Sequence, residues 1–400
     1  MASGRRRAWL LGVPISLLGL AAALTLARPT PATAAVYVPE AADELLETLP
    51  VGAQTRRPRA ATDARALAPV VDAASAVARA RSELTQYRAS SDPRYLGRAE
   101  AALGPFWDAP NPPEPVLVLR ARIRQSNHEF VLALSDLDRA LLVSPQDPQA
   151  LLDRASIRTV LGRYQAARSD CDSLEGVTDP VYVSVCRAAI AGVTGSARTA
   201  IDDLSRALLN PALELEDQCW AKSLLGELST RVGDAAAAEA HFLGVLAACP
   251  GDSYAKGALA DLWLDQRRNA DVVRLLAEQL SQDALLLRLT IAERSLRSPD
   301  FAKHLEDLRQ RFEEAHLRGS SVHRREEARF ELALQDAPQR ALELALENFR
   351  VQRETADVRI ALEAALAAGR PESAREVLAF ARTSGLEAPE LERLLGRFPR

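Results

Sequence analysis

A repeat of about 34 residues constrains this chain more than any other feature of its sequence. Residues 119–123 (LRARI) recur as residues 153–157 (DRASI) and again as residues 186–190 (CRAAI), at spacings of 34 and 33. Twelve residues after the central alanine of each copy stands another alanine, at Ala133, Ala167 and Ala200. Chance rarely gives three such copies, so the sequence predicts a stack of similar structural units rather than separate globular domains.

The composition indicates that each unit is built from helices. Nearly half of the residues are apolar (48%) and 26% are charged, so the chain can bury a large interior. Aromatic residues make up only 5%, whereas alanine, leucine, arginine and glutamate dominate. Strands draw on β-branched and aromatic residues, and helices on the residues that are abundant here. The composition therefore favours an all-α chain.

One copy of the repeat carries the residues of a known family. It has a Leu-Gly pair at 225–226, and then Gly233, Ala238, Phe242 and Pro250. This pattern resembles the signature of the tetratricopeptide-repeat (TPR) family. The resemblance is strong over about residues 110–285 and loose elsewhere. It implies an all-α fold, a right-handed superhelical solenoid of about eight to nine antiparallel helix hairpins.

The spacing of small and large residues in this copy has a physical reason. Gly226 and Ala238 leave room where the two helices of a hairpin cross, Phe242 fills the space below, and Gly233 starts the turn between the helices. We therefore expect Gly226 and Ala238 to be buried at helix crossings, together with Ala155 and Ala188 of the earlier copies.

The register divides the chain as follows. Hairpins are expected near residues 64–108, 114–145, 149–176, 181–209, 217–249, 252–281, 284–316, 322–353 and 356–386. The predicted divisions are a signal peptide (1–34), a leader and linker (35–62), a degenerate helical repeat (63–112), the TPR array (113–387) and a C-terminal capping helix (388–400).

The N-terminus predicts export. A basic head at residues 5–7 precedes an apolar run at 8–27 and a small-residue box at 32–34, so cleavage is expected after Ala34. The alternative is an uncleaved anchor, because about twenty apolar residues can span a bilayer. Pro14 and the small-residue box favour cleavage, and the expected location is periplasmic or secreted.

Two short segments add to this expectation. Residues 37–39 and 92–97 resemble a group of exported bacterial TPR proteins. The group has no assigned partner, so the resemblance bears on the fold and on export and leaves the partner open.

The charge and the motifs argue against several functions. The net charge is −4, and removing residues 1–34, with four arginines and no acid, would make it −8, which gives no reason to bind nucleic acid. The remaining cations are predicted to lie on a solvated helix surface. The sequence has no phosphate-binding loop, zinc helix or nucleophile elbow, so we predict no enzyme activity and no cofactor.

The clustered histidines and glutamates give no metal site either. His304, His316 and His323 lie within twenty residues of each other, yet the sequence puts no carboxylate partner at ligand spacing, so no metal is predicted. The neighbouring acids Glu326 and Glu327 are interpreted as a solvated face.

The resemblance implies a binding surface. In TPR arrays the first helices of the hairpins line a concave face that holds peptides. Projecting that geometry onto this chain gives the candidates Arg122, Gln125, Ser156, Thr159, Trp220, Glu227, Arg231, Tyr254, Asp261 and Asp265. Each is alternatively an ordinary solvated side chain. Trp220 and Tyr254 stand one repeat apart, and are either binding anchors or packing between repeats.

Two functions follow from this interpretation. The first is an exported scaffold that binds a protein or peptide through its concave face. The alternative is a structural accessory of an envelope assembly or transport complex, anchored by the N-terminal helix. The mature chain is expected to contact no membrane unless that helix is retained.

The four cysteines of the chain predict two disulfides. Cys219 and Cys249 are equally distant from the turn near Gly233, and Cys171 and Cys186 are equally distant from a turn near residue 178. Antiparallel helices bring such residues together, so we predict the pairs 219–249 and 171–186 in an oxidising compartment. The alternative for Cys171 is a small core residue, since it occupies the site of a leucine in the preceding repeat.

Overall fold

The computed structural model describes residues 72–90, 92–210, 213–317 and 324–398, and every regular element in these ranges is helical. The helices are α1 (Ala73–Ser90), α2 (Arg94–Trp107), α3 (Glu114–Ser126), α4 (Phe130–Val143), α5 (Pro148–Val160), α6 (Tyr164–Ser173), α7 (Pro180–Ala191), α8 (Ala197–Ala207), α9 (Leu215–Arg231), α10 (Ala235–Ala248), α11 (Ser253–Asp265), α12 (Asn269–Leu276), α13 (Asp283–Leu296), α14 (Phe301–Leu317), α15 (Arg324–Ala333), α16 (Pro338–Val351), α17 (Thr355–Ala367), α18 (Arg375–Ser384) and α19 (Pro389–Leu395). A short 3-10 helix, Pro371–Ala374, precedes α18. The predicted signal peptide and leader lie outside the described residues.

Several helices begin at an aspartate that caps the first turn. The side chains of Asp147, Asp179 and Asp252 accept hydrogen bonds of 2.6, 2.9 and 2.8 Å from backbone N–H groups of α5, α7 and α11. Such a cap satisfies a donor that the helix itself leaves unpaired. The aspartate cap thus fixes where three of the first helices start.

The helices form hairpins that stack in chain order. Each odd-numbered helix packs against the even-numbered helix that follows it, and successive odd-numbered helices contact each other from α1 to α17. The odd-numbered, or first, helices thus form one continuous layer. The predicted all-α solenoid of helix hairpins is confirmed, and its buried side chains form a chain of local clusters rather than one central core.

The helix crossings are closed by small residues, as predicted. Ala155, Ala188 and Ala238 are buried, and so is Gly226. A Cβ atom placed on Gly226 would lie 2.5 Å from the ring of Phe242, which is itself 1% exposed. Only glycine allows α9 and α10 to approach this closely.

We expect Gly226→Leu to lower the free energy of unfolding by about 1–3 kcal/mol, because the new side chain overpacks the contact with Phe242. Gly244, an exposed glycine of α10, is a matched control, since a Cβ atom there would have no heavy atom within 4 Å. Gly244→Leu should stabilise the same hairpin slightly, since leucine is the better helix former. Urea denaturation measures both variants, and equal effects would show that the α9–α10 crossing is placed wrongly.

Two of the hairpins contain buried ion pairs that the sequence analysis did not predict. Arg120 of α3, 4% exposed, donates to Asp136 of α4 at 2.6 and 2.8 Å, and Arg124 donates to the same carboxylate at 2.6 Å. One repeat later, Arg154 and Arg158 donate to Asp170 in the same way. The prediction that the cations lie on a solvated surface is therefore wrong for Arg120, because the repeat supplies a carboxylate that compensates its burial.

The C-terminal repeats fold back onto earlier ones. The backbone N–H of Arg353, just after α16, donates to the carbonyl of Val160 at the end of α5, at 2.8 Å. The ring of Phe380 in α18 covers Gly162, where a Cβ atom would lie 2.8 Å from the ring. Gly162 also has a φ of +73°, so its turn requires glycine for conformation and for contact.

The same contact continues along the next two turns. A Cβ atom on Gly195 would lie 3.4 Å from the carbonyl oxygen of Gly385, and one on Gly233 would lie 3.2 Å from the ring of Pro389. Gly162, Gly195 and Gly233 each follow a first helix, and we call these three turns the turn row. Residues 352–389 thus run along the turn row as a clasp that closes the array on itself.

Candidate binding surface

The ten predicted surface residues lie at two ends of the first helices. Trp220 and Tyr254 are in the N-terminal halves of α9 and α11, at what we call the open end. The other eight lie in the second half of their helices, toward the turn that leads to the second helix, at what we call the turn end: Arg122, Gln125, Ser156, Thr159, Glu227, Arg231, Asp261 and Asp265.

Two aspartates at the turn end are held by arginines from the C-terminal repeats. Asp261 accepts hydrogen bonds from Arg288 at 2.5 Å and from Arg329 at 2.6 Å. Burial acts to raise the pKa of Asp261, but the two guanidinium groups outweigh it and leave the pKa below its usual value. Asp265 accepts two hydrogen bonds, at 2.6 and 2.7 Å, from Arg359 of α17.

The neighbouring pair on α9 is engaged as well. Arg231 donates to the hydroxyl of Thr355 at the start of α17 and to Glu227 at 3.5 Å. Burial raises the pKa of Glu227, and the charge of Arg231 opposes that shift. The turn end of α9 and α11 is therefore bound by the chain's own C-terminal helices.

The four candidates nearer the N-terminus have different surroundings. Arg122 donates to Asp153 of α5 at 2.9 Å, and Thr159 donates to the carbonyl of Ala155 at 2.8 Å. Ser156 is exposed and Gln125 is half-buried. These contacts lie within or between neighbouring first helices and bring no two of the four side chains together.

The open end presents aromatic rings. Trp220 is 45% exposed and Tyr254 is 55% exposed. Tyr182 of α7 lies beside Trp220, with ring centroids 6.3 Å apart. All three stand six residues before a small residue at a helix crossing, namely Ala188, Gly226 and Ala260. Since α7, α9 and α11 are neighbours in the layer of first helices, the three side chains occupy equivalent positions, and we call them the aromatic row.

The cysteines lie beside this row. The Cα atoms of Cys171 and Cys186 are 5.6 Å apart and those of Cys219 and Cys249 are 6.6 Å apart, so both predicted pairs lie at disulfide distance. Cys219 immediately precedes Trp220, and Cys249 begins the short loop that leads to Tyr254. A bridge between them would fix the start of α11 to the start of α9.

Carboxylates surround the first ring of the row. The hydroxyl of Tyr182 donates to Asp217 at 2.6 Å. This hydrogen bond raises the pKa of Tyr182 to about 12, and burial and the charges of Asp217, Asp179 and Glu214 act in the same direction. The open end of α7 and α9 is therefore an environment of negative potential.

The histidine cluster differs from the expectation. His304 lies 2.9 Å from the carboxylate of Glu293, and His316 lies 2.7 Å from that of Glu327, so two of the histidines do have a carboxylate partner. Glu327 is 8% exposed, and the interpretation of Glu326 and Glu327 as a solvated face is wrong for this residue. The two pairs join α14 to α13 and to α15, the helices on either side of it. His323 lies outside the described residues.

The part of the chain that the structure describes lacks two further features. In it, no three His, Cys, Asp or Glu side chains are grouped so that they could hold a metal ion. In the same ranges, no helix has both the length and the apolar character needed to cross a membrane.

No family model and no curated protein matches this chain. Solved structures that it is similar to include a tetratricopeptide repeat protein from Parabacteroides merdae, 17% identical over 59% of this chain and 91% of that one, with a TM-score of 0.39. A dimer of human IFIT1 with PPP-AAAA is 12% identical over 76% of this chain and 83% of that one, with a TM-score of 0.40. Similarities of this size carry no argument about function.

Proposed function

We propose that this chain is a scaffold that binds a protein or a peptide, and that the partner docks on the aromatic row. The observation that carries the proposal is the row itself, three equivalent aromatic side chains on adjacent helices. Two of them, Trp220 and Tyr254, are about half exposed. Large rings held on rigid helices supply most of the binding energy in many interfaces, since little side-chain entropy is lost on docking.

Internal contacts at the turn end favour the open end of the first helices as the binding site. At the turn end, Asp261, Asp265 and Arg231 already bind side chains of α13, α15 and α17. A partner would have to break these ion pairs to use them. The open end requires no such exchange, and its rings lose only water when a partner covers them.

Trp220→Ala is expected to weaken binding of the partner by about 2 kcal/mol, and Tyr254→Ala by a similar amount, because each variant loses an aromatic anchor. Each variant should lower the free energy of unfolding by only about 1 kcal/mol, since both side chains are half exposed. Isothermal titration with the partner and urea denaturation measure the two quantities. The partner itself is to be identified by comparing pull-downs from the envelope fraction with wild type and with Trp220→Ala.

Two variants serve as controls for this prediction. Leu142→Ala removes an apolar side chain of α4 that is 83% exposed, and should change neither quantity. Asp265→Ala breaks the ion pair with Arg359 at the turn end, and should lower stability while the affinity stays unchanged. If Trp220→Ala loses stability as strongly as affinity, the ring is structural packing instead.

We also propose that the scaffold works outside the cytoplasm. Two cysteine pairs at disulfide distance support an oxidising compartment, and residues 1–34 have the pattern of a signal peptide. The alternative is an envelope accessory anchored by the apolar run at residues 8–27. Cell fractionation with N-terminal sequencing separates the two, since a soluble chain that begins at Ala35 contradicts the anchor and a membrane-bound chain with residues 8–27 contradicts cleavage.

A further inference from the structure

The aromatic row is surrounded by acidic side chains. Five carboxylates stand just before α7, α9 and α11 or in their first turns: Asp179, Glu214, Glu216, Asp217 and Asp252. Lys222, two residues after Trp220, is the nearest cation along the chain, and its charge acts on His241 of α10. Two other nearby cations have partners of their own. Arg187 donates to Asp172 and Glu175, and the ammonium of Lys256 donates to Gln279.

The helix ends do not cancel this charge. The N-terminus of a helix carries about half a positive charge, so the ends of α7, α9 and α11 contribute about +1.5 in total. Lys222 adds one positive charge, and the five carboxylates contribute five formal negative charges. The surface beside the rings therefore has a net negative potential, which attracts a cation and repels an acidic segment.

Elsewhere in the chain a cation is already bound by a tryptophan ring and two carboxylates. The guanidinium of Arg268 lies 5.0 Å from the ring centroid of Trp263. The same guanidinium donates to Glu239 at 2.6 Å and to Asp271 at 2.8 Å. An arginine over a tryptophan, flanked by two carboxylates, is thus an arrangement that this protein stabilises. Trp220, with Glu216 and Asp217 in the same helix, presents a ring and two carboxylates, and the residue is 45% exposed.

We infer that the aromatic row binds an extended segment of the partner that carries arginine or lysine side chains, with one cation over Trp220 and others toward Tyr182 and Tyr254. This inference rests on the proposed function and specifies its partner. Neighbouring first helices are about 10 Å apart, and an extended chain in the polyproline II conformation rises about 3.1 Å per residue with three residues per turn, so every third side chain lies on the same side. A cation at every third residue would therefore match the row.

Fluorescence anisotropy with short labelled peptides tests this directly. The probe has arginine at every third position and serine between, and the matched probe has citrulline, which keeps the shape and removes the charge. We expect the arginine peptide to bind about tenfold more tightly than the citrulline peptide, a preference that weakens as salt is raised. Trp220→Ala should lower the affinity for the arginine peptide by about tenfold, and Glu216→Gln should lower it by a few-fold.

A charge control and three contrary outcomes complete the test. Glu100→Gln removes an exposed carboxylate of α2, far along the chain from the row, and should leave the affinity unchanged. Equal binding of both peptides, with loss in Trp220→Ala, would overturn the cationic partner and leave the proposed site standing. Arginine-dependent binding that Trp220→Ala does not weaken would overturn the row as the site. Binding of neither peptide would contradict the inference outright.

Discussion

Asp136→Ala is expected to lower the free energy of unfolding by about 3–5 kcal/mol. The carboxylate is 1% exposed and accepts hydrogen bonds from Arg120 and Arg124. Alanine would leave Arg120, itself 4% exposed, as a buried cation without its carboxylate partner. Such a charge costs more than the lost pair contributed, since the guanidinium cannot release its proton. Urea denaturation followed by circular dichroism measures the change.

Asp138, two residues further on the same helix, is the matched control. Its side chain is 55% exposed, and it accepts a hydrogen bond from Arg154 at 2.7 Å. Exposed ion pairs contribute about 0–1 kcal/mol, so Asp138→Ala should have a small effect. Asp170→Ala, the equivalent of Asp136 one repeat later, should repeat the large loss. Similar small losses for all three variants would show that the pairs are solvated and that the buried network is placed wrongly.

Local spacing predicted the hairpins well because a repeat array is stabilised by contacts between near neighbours. Gly226 and Phe242 are sixteen residues apart, and their contact follows from the geometry of one hairpin. The buried carboxylates could also have been predicted from local spacing. Asp136 and Asp170 recur at the spacing of the repeat, sixteen residues after Arg120 and Arg154, and a search for charges at that offset would have found both pairs.

Tyr182 was missed for a different reason. It stands 38 residues before Trp220, whereas Trp220 stands 34 before Tyr254. The longer connection between α8 and α9 shifts the register by four residues, so a search at the fixed period does not align Tyr182 with the other two rings. Counting back from the small residue at each crossing restores the alignment.

The clasp could not be predicted from a local pattern. Val160 and Arg353 are almost two hundred residues apart, and their contact depends on the curvature summed over all the hairpins between them. Small rotations between repeats accumulate along a solenoid, so a local sequence pattern does not determine where its ends meet. For this reason the sequence placed all ten candidates on one continuous face. In the structure the turn end of α9 and α11 is bound by α13, α15 and α17, and the aromatic row lies at the open end.

The predicted disulfides give the second large effect. The bridge between Cys219 and Cys249 would close a loop of 30 residues, and loop-closure entropy then stabilises the fold by about 3–4 kcal/mol. The bridge between Cys171 and Cys186 spans 15 residues and is expected to contribute about 3 kcal/mol. Replacing both cysteines of either pair by serine should lower the free energy of unfolding by these amounts. The Cys219→Ser/Cys249→Ser variant should also bind the partner less tightly, because Trp220 directly follows Cys219.

Mass spectrometry of unreduced peptides decides whether the bridges form as predicted. A 219–249 link and a 171–186 link are expected in protein from the oxidising compartment. Free thiols at all four positions, or a crossed 171–249 link, would contradict the pairing and remove the structural support for export. Reductant supplies the control, because it should destabilise the wild type by the sum of both bridges and leave a variant with serine at all four positions unchanged. Equal sensitivity of both proteins would show that reductant acts elsewhere and that neither bridge stabilises the array.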